Sequence, residues 1–364
     1  MKLLILGGTR FLGRHLAEQA LARGHELTLL HRGISGPALF PAARHLIADR
    51  DADLTPLADG HWDAVIDTSA YVPRQVRQAA AVLTGKVGHY QLVSTISVYA
   101  DFSAVSQGQG QGHGQGRGQG RDQGQGQGRG RTAEHAALIT LQDPSTEVVD
   151  GSTYGGLKVL CEAAARAGFG ERCLIDRPGL LVGPHDPTGR FTWWPQRMQR
   201  GGDVLVPGQP EDAVQFIDAR DAAAWMLLQS ERQTQGVFNL TGPAQPLSMG
   251  KLMSTLQAQL NPAARLHWVD EDFLLQQQVA PWTELPLWLP RDKAGLHRTD
   301  IGAALASGLH CRPLAQTVLD TAAWAQAAAM QTTAPGGPPR PEVGLSAERE
   351  ASLLSDWWRS RATG

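Results

Sequence analysis

The sequence predicts an α/β protein that is built on a doubly wound parallel sheet and carries a smaller C-terminal lobe. The chain opens with an apolar run at 2–6, which leads through a glycine-bearing turn into a segment with helical spacing. Apolar strand-like runs and helical segments then alternate up to about residue 180. This alternation is typical of a parallel sheet with helices on both faces. With 364 residues, the chain is long enough for two lobes.

The turn after the first strand reads GGTRFLG at 7–13 and has the residue types of a dinucleotide-binding loop. Gly7 allows the chain to reverse, and Gly13 allows the following helix to pack closely against the strand. The helix can then direct its free N–H groups and its positive dipole end at a pyrophosphate. An ordinary strand-to-helix connection is the alternative for this turn alone, and Arg10 replaces the usual middle glycine. We predict a Rossmann-type fold with an NAD(P) cofactor bound by six residues of the turn, which are Gly7, Thr9, Arg10, Phe11, Leu12 and Gly13.

Residues at the ends of the next two predicted strands indicate which cofactor binds. In many dinucleotide-binding folds a carboxylate near the end of the second strand holds the adenosine ribose. The second strand, at 26–33, carries His31 and Arg32 there, and both could pair with a 2′-phosphate, so NADP is slightly favoured over NAD. Arg32 could equally be a solvated loop residue. The third strand, at 45–49, ends in Asp49, whose carboxylate could accept a hydrogen bond from the adenine amino group.

The remaining elements divide the chain into a cofactor-binding domain and a second lobe. Further strands are predicted at 62–67, 90–93, 173–177 and 236–240, with helices at 73–83 and from 154 onward. The domain spans 1–180, its sheet is completed by about 214–240, and 181–330 form mainly an irregular, substrate-binding lobe. A Pro-rich linker at 331–345 and a C-terminal helix at 346–361 follow.

One segment inside the first domain cannot join a core. Residues 107–131 contain 11 glycines and 8 glutamines and no apolar side chain. We therefore predict that this segment is a disordered insertion. An Arg/Gly-rich RNA tether is the alternative, but the segment has no aromatic residue on which a base could stack. Nucleic acid is for this reason an unlikely partner.

The composition argues against several classes of function. The 33 Lys and Arg nearly balance the 35 Asp and Glu, so the net charge favours neither a nucleic-acid nor a membrane-surface partner. Three widely spaced cysteines are too few for a disulfide framework, which favours a reducing compartment. No apolar segment approaches the ~18 residues of a membrane span. The 12 histidines form neither HxxxH nor HExxH, so no metal site is expected. We expect a cytoplasmic protein with a small-molecule substrate, and a homodimer is one option.

A set of motifs, taken in chain order, resembles one protein family. These motifs are the glycine turn, Asp49, Ser94-Thr95, Tyr154-x-x-x-Lys158, Arg177-Pro178-Gly179 and the stretch 216–221. Their order is similar to that of extended short-chain dehydrogenases/reductases of the NAD-dependent epimerase/dehydratase group, over roughly residues 1–325. Arg10 in the turn resembles an atypical branch of the family that includes chloroplast RNA-associated members.

The resemblance implies a catalytic site made of Thr95, Tyr154 and Lys158. Tyr154 would exchange a proton with a substrate oxygen while hydride moves to or from the nicotinamide, and Thr95 would hydrogen-bond the same oxygen. Lys158 lies four residues after Tyr154 on one helix face, where it would lower the pKa of the phenol and bind the nicotinamide ribose. The implied function is an NAD(P)-dependent oxidoreductase or epimerase that acts on a hydroxyl or ketone carbon, for example of a nucleotide sugar.

Two further expectations concern departures from the family pattern. Sugar-nucleotide dehydratases of the family resemble one another in an Asp-Glu pair directly after the threonine, whereas Ile96-Ser97 follow Thr95 here. Because Ile96 cannot transfer a proton, we expect no dehydration. The alternative function is a non-catalytic dinucleotide-binding or RNA-associated protein of the atypical branch, although this chain retains both Tyr154 and Lys158.

Overall fold

The computed structural model describes residues 1–102, 131–331 and 343–362. The Gly/Gln-rich segment predicted at 107–131 therefore lies outside the described residues, apart from Arg131. The same holds for 332–342, which make up most of the predicted Pro-rich linker.

The described residues form the following strands and helices. The strands are β1 (Lys2–Leu6), β2 (Glu26–His31), β3 (Arg44–Ile47), β4 (Trp62–Asp67), β5 (Val87–Val93), β6 (Cys173–Pro178), β7 (Leu181–Val182), β8 (Asp203–Pro207), β9 (Ala213–Val214), β10 (Ile217–Asp218), β11 (Gly236–Leu240), β12 (Leu247–Ser248) and β13 (Arg265–Val269). The helices are α1 (Phe11–Ala22), α2 (Pro73–Leu83), α3 (Tyr154–Phe169), α4 (Trp193–Arg200), α5 (Ala219–Arg232), α6 (Met249–Leu260), α7 (Glu271–Gln276), α8 (Gly302–Ala306), α9 (Leu314–Gln331) and α10 (Ala347–Ala362).

The central sheet has seven strands in the order β11-β6-β5-β4-β1-β2-β3, and each neighbouring pair runs parallel. This arrangement confirms the predicted doubly wound α/β fold. The sequence predicts that the stretch 214–240 completes this sheet. Within that stretch β11 joins the sheet, whereas β10 pairs with β7 in a separate two-stranded sheet. The strand order reverses beside β1, which has β2 on one side and β4 on the other. Ligands of this fold class bind at such a reversal, in the crevice outside the carboxyl ends of the strands.

The strand β1 contributes to two apolar layers because its side chains alternate between the two faces of the sheet. Leu3 and Ile5 pack in the layer that contains α1 and α5, together with Trp225. Leu4 and Leu6 pack in the opposite layer, which contains α2 and α3. All four β1 side chains are at most 1% exposed. A strand that is buried on both faces has a continuous apolar sequence, which is the pattern observed at the start of this chain.

The second lobe has its own apolar core and more regular structure than the sequence predicts. Helices α4, α6 and α9 contact one another, and β8 pairs with β13 in parallel. The fully buried Trp194 anchors α4 in this core, and its indole N–H donates to the Pro286 carbonyl at 2.7 Å. The expectation of an irregular lobe is wrong in this respect. Its strands pair over long sequence distances, as Asp203 does with Arg265, and such pairing leaves no local signal.

The C-terminal helix α10 lies against this second lobe. Leu353, Leu354 and Trp357 are buried in the core of the lobe. Glu350 accepts a hydrogen bond from Arg197 Nε on α4 at 2.5 Å, and both residues are buried. The helix is therefore joined to the lobe by an apolar face and by a buried ion pair.

Candidate active site

The glycine turn after β1 is packed so closely that only glycine fits at two positions. Gly7 has a φ of +115°, and a Cβ atom on it would lie 2.4 Å from Thr68 Oγ1. A Cβ atom on Gly13 would lie 2.6 Å from the backbone nitrogen of Gly8. Gly13 therefore brings α1 against the turn itself, rather than against the strand as the sequence suggests.

The start of α1 has the charge properties of an anion-binding site. The helix begins at Phe11 and has no acidic residue in its first turn. Arg10 precedes the helix with an exposed side chain, and Thr9 is half-buried. Because the first N–H groups of a helix have no acceptor within the helix, they can bind a phosphate. The side chain of Leu12 is 6% exposed and belongs to the core, so only its backbone could face a cofactor. The close-packed glycines and the lack of an acidic residue in the first turn of α1 fit the pyrophosphate of a dinucleotide.

His31, at the end of β2, is not available to a ligand. Its ring is 7% exposed, Nδ1 accepts a hydrogen bond from the Gly33 N–H at 3.0 Å, and Nε2 lies 2.8 Å from His45 Nδ1. Since Nδ1 is an acceptor, the neutral ring donates from Nε2 to His45, whose own Nε2 donates to the Phe40 carbonyl at 3.1 Å. Burial and the neighbouring His45 lower the pKa of His31. The prediction that His31 could pair with a 2′-phosphate is therefore wrong.

Arg32 and Asp49 both have exposed side chains near the carboxyl end of the sheet. Arg32 directly follows β2, and no hydrogen bond or ion pair joins its side chain to another described residue. Asp49 lies two residues beyond β3, and its Oδ1 accepts a hydrogen bond from the Asp51 N–H at 3.0 Å. Both side chains are accessible to a ligand. Their contacts with the ribose phosphate and with adenine stay predictions.

A buried ion pair next to Asp49 was not apparent from the sequence. Arg50 donates to both carboxylate oxygens of Asp67, at 2.6 and 2.9 Å, and to Ser69 Oγ at 2.9 Å. Burial disfavours the charged form of Asp67, but the charge and hydrogen bonds of Arg50 hold the pKa of that carboxyl below its usual value. Ser69 in turn donates to the carbonyl of Leu6 at 3.2 Å, directly before the glycine turn. The pair therefore joins the loop that carries Asp49 to the loop beside the glycine turn.

The structure brings the three candidate catalytic residues together at the carboxyl end of β5. Tyr154 is the first residue of α3, and Lys158 lies one turn further along the same helix. Thr95 follows β5, is 7% exposed, and lies close enough to the Tyr154 hydroxyl to lower the pKa of that phenol. The Thr95 hydroxyl also accepts from the Ser97 N–H at 3.1 Å, which orients it.

Lys158 is held by backbone carbonyls. Its Nζ donates to the carbonyl oxygens of Ala70 and Val93, both at 2.6 Å, and its side chain is buried. Burial lowers the pKa of this ammonium. An ammonium has three N–H donors, so one remains for a further acceptor.

The pKa of Tyr154 is raised, whereas the sequence predicts that it is lowered. Burial and the neighbouring Tyr71 raise it to about 12, while the hydrogen bond with Thr95 and the charge of Arg190 act in the opposite direction. The Lys158 ammonium is directed at the two carbonyls and does not offset the burial of the phenol. The expectation that Lys158 lowers this pKa is therefore wrong for this structure, and the phenol is protonated at neutral pH.

Two residues of the sequence motifs, Arg177 and Ser94, bind the carboxylate of Glu162 in a second buried ion pair that the sequence does not reveal. Arg177, on β6, donates to both carboxylate oxygens of Glu162, at 2.9 and 2.7 Å. Ser94 Oγ donates to the same carboxylate at 2.6 Å. Glu162 is a fully buried residue of α3, and Arg177 is also buried. These bonds hold α3, which carries Tyr154 and Lys158, against β5 and β6.

Two residues that no sequence motif marks act electrostatically on Tyr154. Tyr71 is 49% exposed, and the centre of its ring lies 6.0 Å from Lys158 Nζ. Arg190, in the loop before α4, is half-buried, and its guanidinium carbon lies 5.6 Å from the centre of the Trp282 ring. Loops from distant parts of the chain bring both residues to the site, so local sequence could not identify them.

The described part of the chain has neither a metal-binding cluster nor a membrane-spanning helix. Within it, no group of three or more His, Cys, Asp or Glu side chains could hold a metal ion. None of the described helices combines the length and the apolarity that a membrane crossing requires.

Comparisons with known proteins relate the chain to one family and one fold. The family model described as NAD dependent epimerase/dehydratase family matches residues 3–99 and 142–241, which is more than half of the chain. No curated protein matches the chain.

Among solved structures, the chain is similar to UDP-glucuronic acid 4-epimerase from Bacillus cereus in complex with NAD. The identity is 16%, the TM-score is 0.60, and the match covers 90% of this chain and 99% of that one. It is also similar to the enzyme WbmH from Bordetella bronchiseptica in complex with NAD+, at 15% identity, a TM-score of 0.61 and coverage of 89% and 98%. MoeE5 in complex with UDP-glucose and NAD matches at 15% identity, a TM-score of 0.58 and coverage of 90% and 100%. At these identities the likeness shows a shared fold.

Proposed function

Because the chain belongs to the NAD-dependent epimerase/dehydratase family, we propose that it is an NAD(P)-dependent oxidoreductase or epimerase acting on a hydroxyl or ketone carbon of a small molecule. The observation that carries this proposal is the arrangement of Thr95, Tyr154 and Lys158 around the carboxyl end of β5, in the same sheet as the glycine turn. The ligands named for the similar structures, NAD and UDP-glucose, support a nicotinamide cofactor and a nucleotide-sugar substrate. The proposal includes a cytoplasmic location, on the sequence grounds given above.

In the proposed reaction, Tyr154 moves the proton. Its pKa of about 12 leaves the phenol protonated at neutral pH, so it can donate a proton to a ketone oxygen as hydride reaches the carbon. In the oxidation direction the phenolate form of Tyr154, a small fraction at neutral pH, accepts the proton of the substrate hydroxyl. Thr95 lies beside Tyr154 and acts on its phenol, so it is placed to orient the substrate oxygen. A bound nicotinamide supplies or accepts the hydride.

Lys158 has a positioning role in this proposal. Two of its three N–H donors are used by the carbonyls of Ala70 and Val93, which leaves one for a hydroxyl of the nicotinamide ribose.

Incubation with a panel of nucleotide sugars and NAD(P), followed by mass spectrometry of the products, tests this function. An isobaric product would identify an epimerase, and a mass change of two hydrogens would identify an oxidoreductase. We expect no product lighter by one water, because Ile96, directly after Thr95, has a buried apolar side chain that cannot transfer a proton. A dehydrated product would contradict the assigned roles. Tight binding of NAD(P) without turnover of any sugar would favour the non-catalytic alternative.

Arg32→Asp is expected to weaken NADP(H) binding about tenfold or more and to affect NAD(H) much less, which would support the proposed preference for NADP. Arg32 is exposed at the end of β2 and has no described partner, so a carboxylate there would repel a 2′-phosphate instead of pairing with it. Titration of intrinsic tryptophan fluorescence with each cofactor measures the effect. Arg44→Asp makes the same change of charge at the start of β3 and serves as the control. Equal weakening of NADP(H) and NAD(H) binding would show that Arg32 does not contact the 2′-phosphate.

A further inference from the structure

The loop between β4 and α2, at 68–72, contacts two parts of the candidate cofactor site. At its start, the hydroxyl of Thr68 donates to the carbonyl of Leu6 at 2.9 Å, directly before the glycine turn. Further along, the carbonyl of Ala70 accepts a hydrogen bond from Lys158 Nζ at 2.6 Å. Ala70 is 2% exposed and Lys158 is 3% exposed. The loop therefore connects the turn proposed to bind the pyrophosphate to the ammonium proposed to bind the nicotinamide ribose.

Gln75, on α2, binds the opposite side of the peptide group that holds Lys158. Its side-chain oxygen, Oε1, accepts a hydrogen bond from the Tyr71 N–H at 2.7 Å. This N–H and the Ala70 carbonyl belong to the same peptide group. Because a trans peptide group is planar, its N–H and its carbonyl point in opposite directions. Gln75 and Lys158 therefore hold one rigid unit from its two sides.

The side chain of Gln75 is itself fixed before any cofactor binds. It is 7% exposed, and its Nε2 donates to Asp51 Oδ1 at 2.9 Å. Two backbone N–H groups face the amide oxygen and a carboxylate faces the amide nitrogen, so a single orientation of the amide satisfies every contact. Arg50 donates to the backbone carbonyl of Gln75 at 3.2 Å and to Ser69 Oγ at 2.9 Å, which joins α2 to the loop.

Gln75 also caps α2, but capping alone does not account for its contacts. In a capping box, the side chain of the third helical residue accepts from the N-cap N–H, which here is the Val72 N–H at 3.3 Å. The bond from the Tyr71 N–H is shorter, at 2.7 Å, and lies one residue outside the cap. This additional bond is the one that reaches the peptide group bound by Lys158.

Resting on the proposed function, we propose that Gln75 is a positioning residue for Lys158. By fixing the peptide group between Ala70 and Tyr71, it determines where the Ala70 carbonyl draws the ammonium. The carbonyls of Ala70 and Val93 use two of the three N–H donors, so their positions decide where the remaining donor can reach the nicotinamide ribose. A peptide group whose N–H is hydrogen-bonded is also polarised, which strengthens the bond that its carbonyl accepts from Lys158.

The test compares the binding of NAD with that of ADP, which has no nicotinamide ribose, by isothermal titration calorimetry. Gln75→Leu removes the acceptor but keeps a side chain of similar size. We expect it to weaken NAD binding about threefold to tenfold, the scale of one hydrogen bond, and to leave ADP binding unchanged. If the wild type prefers NADP, the matched pair of ligands is NADP and 2′-phospho-ADP.

Gln78→Leu is the matched control on the same helix. Gln78 is half-buried, and its Oε1 accepts a hydrogen bond from Arg74 at 3.3 Å. The substitution removes an amide from α2 without touching the peptide group between Ala70 and Tyr71. Both affinities should stay as in the wild type. Equal weakening of NAD and ADP by Gln75→Leu would contradict the proposal, because the loss would then not be specific to the nicotinamide half.

An exchange of donor and acceptor separates the proposed role from a general loss of packing. Gln75→Glu keeps the acceptor for the Tyr71 N–H but places a second carboxylate beside Asp51, so it should weaken NAD binding. Gln75→Glu combined with Asp51→Asn restores a donor opposite the new carboxylate and should return the NAD affinity to the wild-type value. Persistent weak binding of NAD in this double variant, at an unchanged Tm, would overturn the proposal. This comparison also decides the question if Gln75→Leu does not fold.

Lys158→Met separates failure of this proposal from failure of the proposed function. It should weaken the binding of NAD but not of ADP, and adding Gln75→Leu should cause little further loss, because both act through one contact. An unchanged NAD affinity in Lys158→Met would show that Lys158 does not hold the ribose, which contradicts its role in the proposed function. If Lys158→Met weakens NAD binding and Gln75→Leu does not, the positioning role of Gln75 alone is wrong.

Discussion

Replacing Tyr154 with phenylalanine is expected to lower turnover by about 10²–10⁴-fold and to leave cofactor binding unchanged, since only the phenolic oxygen that carries the proton is lost. The aromatic ring remains at the start of α3, and the Lys158 bonds to Ala70 and Val93 do not depend on the phenol. The measurement is the steady-state rate with the substrate identified by product mass, together with fluorescence titration of the cofactor.

The pH dependence of the rate is an independent test of the acid/base role of Tyr154. Because the structure holds the pKa of Tyr154 at about 12, the phenolate fraction is small at neutral pH and increases as the pH rises. The wild-type rate of hydroxyl oxidation should therefore increase with pH over the neutral and alkaline range. Tyr154→Phe should lack this increase.

Tyr71→Phe provides a matched control for this experiment. It removes a phenolic oxygen from a ring whose centre lies 6.0 Å from Lys158 Nζ, and this side chain is 49% exposed and has no assigned role in proton transfer. We expect a much smaller loss of turnover than for Tyr154→Phe. If Tyr71→Phe lost more activity than Tyr154→Phe, the acid/base role would have to be reassigned to Tyr71.

Arg177→Met is expected to destabilise the fold by about 3–5 kcal/mol, because it leaves the carboxylate of Glu162 buried without its counter-charge. Glu162 is fully buried and receives two hydrogen bonds from Arg177, so among the described residues the Ser94 hydroxyl at 2.6 Å and the more distant Arg166 at 3.6 Å would still face it. The free energy of unfolding from urea titration measures the loss.

Two variants show whether the cost arises from the buried charge. Arg74→Met breaks the largely exposed pairs with Glu147 and Asp51 and should cost at most about 1 kcal/mol. The double variant Arg177→Met with Glu162→Leu removes both buried charges and should recover much of the stability. A cost for Arg177→Met no greater than that for Arg74→Met would mean that the Glu162 pair does not hold α3 to the sheet.

The strands and helices that the sequence predicts well are those with a continuous local pattern and clear end signals. The expected bounds agree with the structure for β4, α2 and β11, each of which is an uninterrupted run followed by turn or helix-start residues. The sequence predicts Asp49 at the end of a strand, but β3 ends at Ile47, where its pairing with β2 stops. The short strands β8 and β13 escaped prediction because each is specified by its partner rather than by its own sequence.

The candidate site shows the same division. Gly7, Thr95, Tyr154 and Lys158 occur in recognisable spacings, so their proximity to one sheet edge could be predicted from strand and helix order. The contact partners of Arg50, Glu162 and Arg190 could not be predicted from the sequence. Each contact joins residues that are distant in the chain or that meet only across packed loops.

By itself, the sequence determined the parallel α/β architecture, the glycine turn and the order of the candidate catalytic residues, because apolar periodicity, glycine and helix spacing act over a few residues. Only the tertiary structure decided the protonation and availability of the side chains. Burial raises the pKa of Tyr154, and hydrogen bonds join His31 to His45 and Lys158 to two backbone carbonyls. These properties depend on desolvation and on partners from other elements, and neither quantity is encoded in the local pattern of residues.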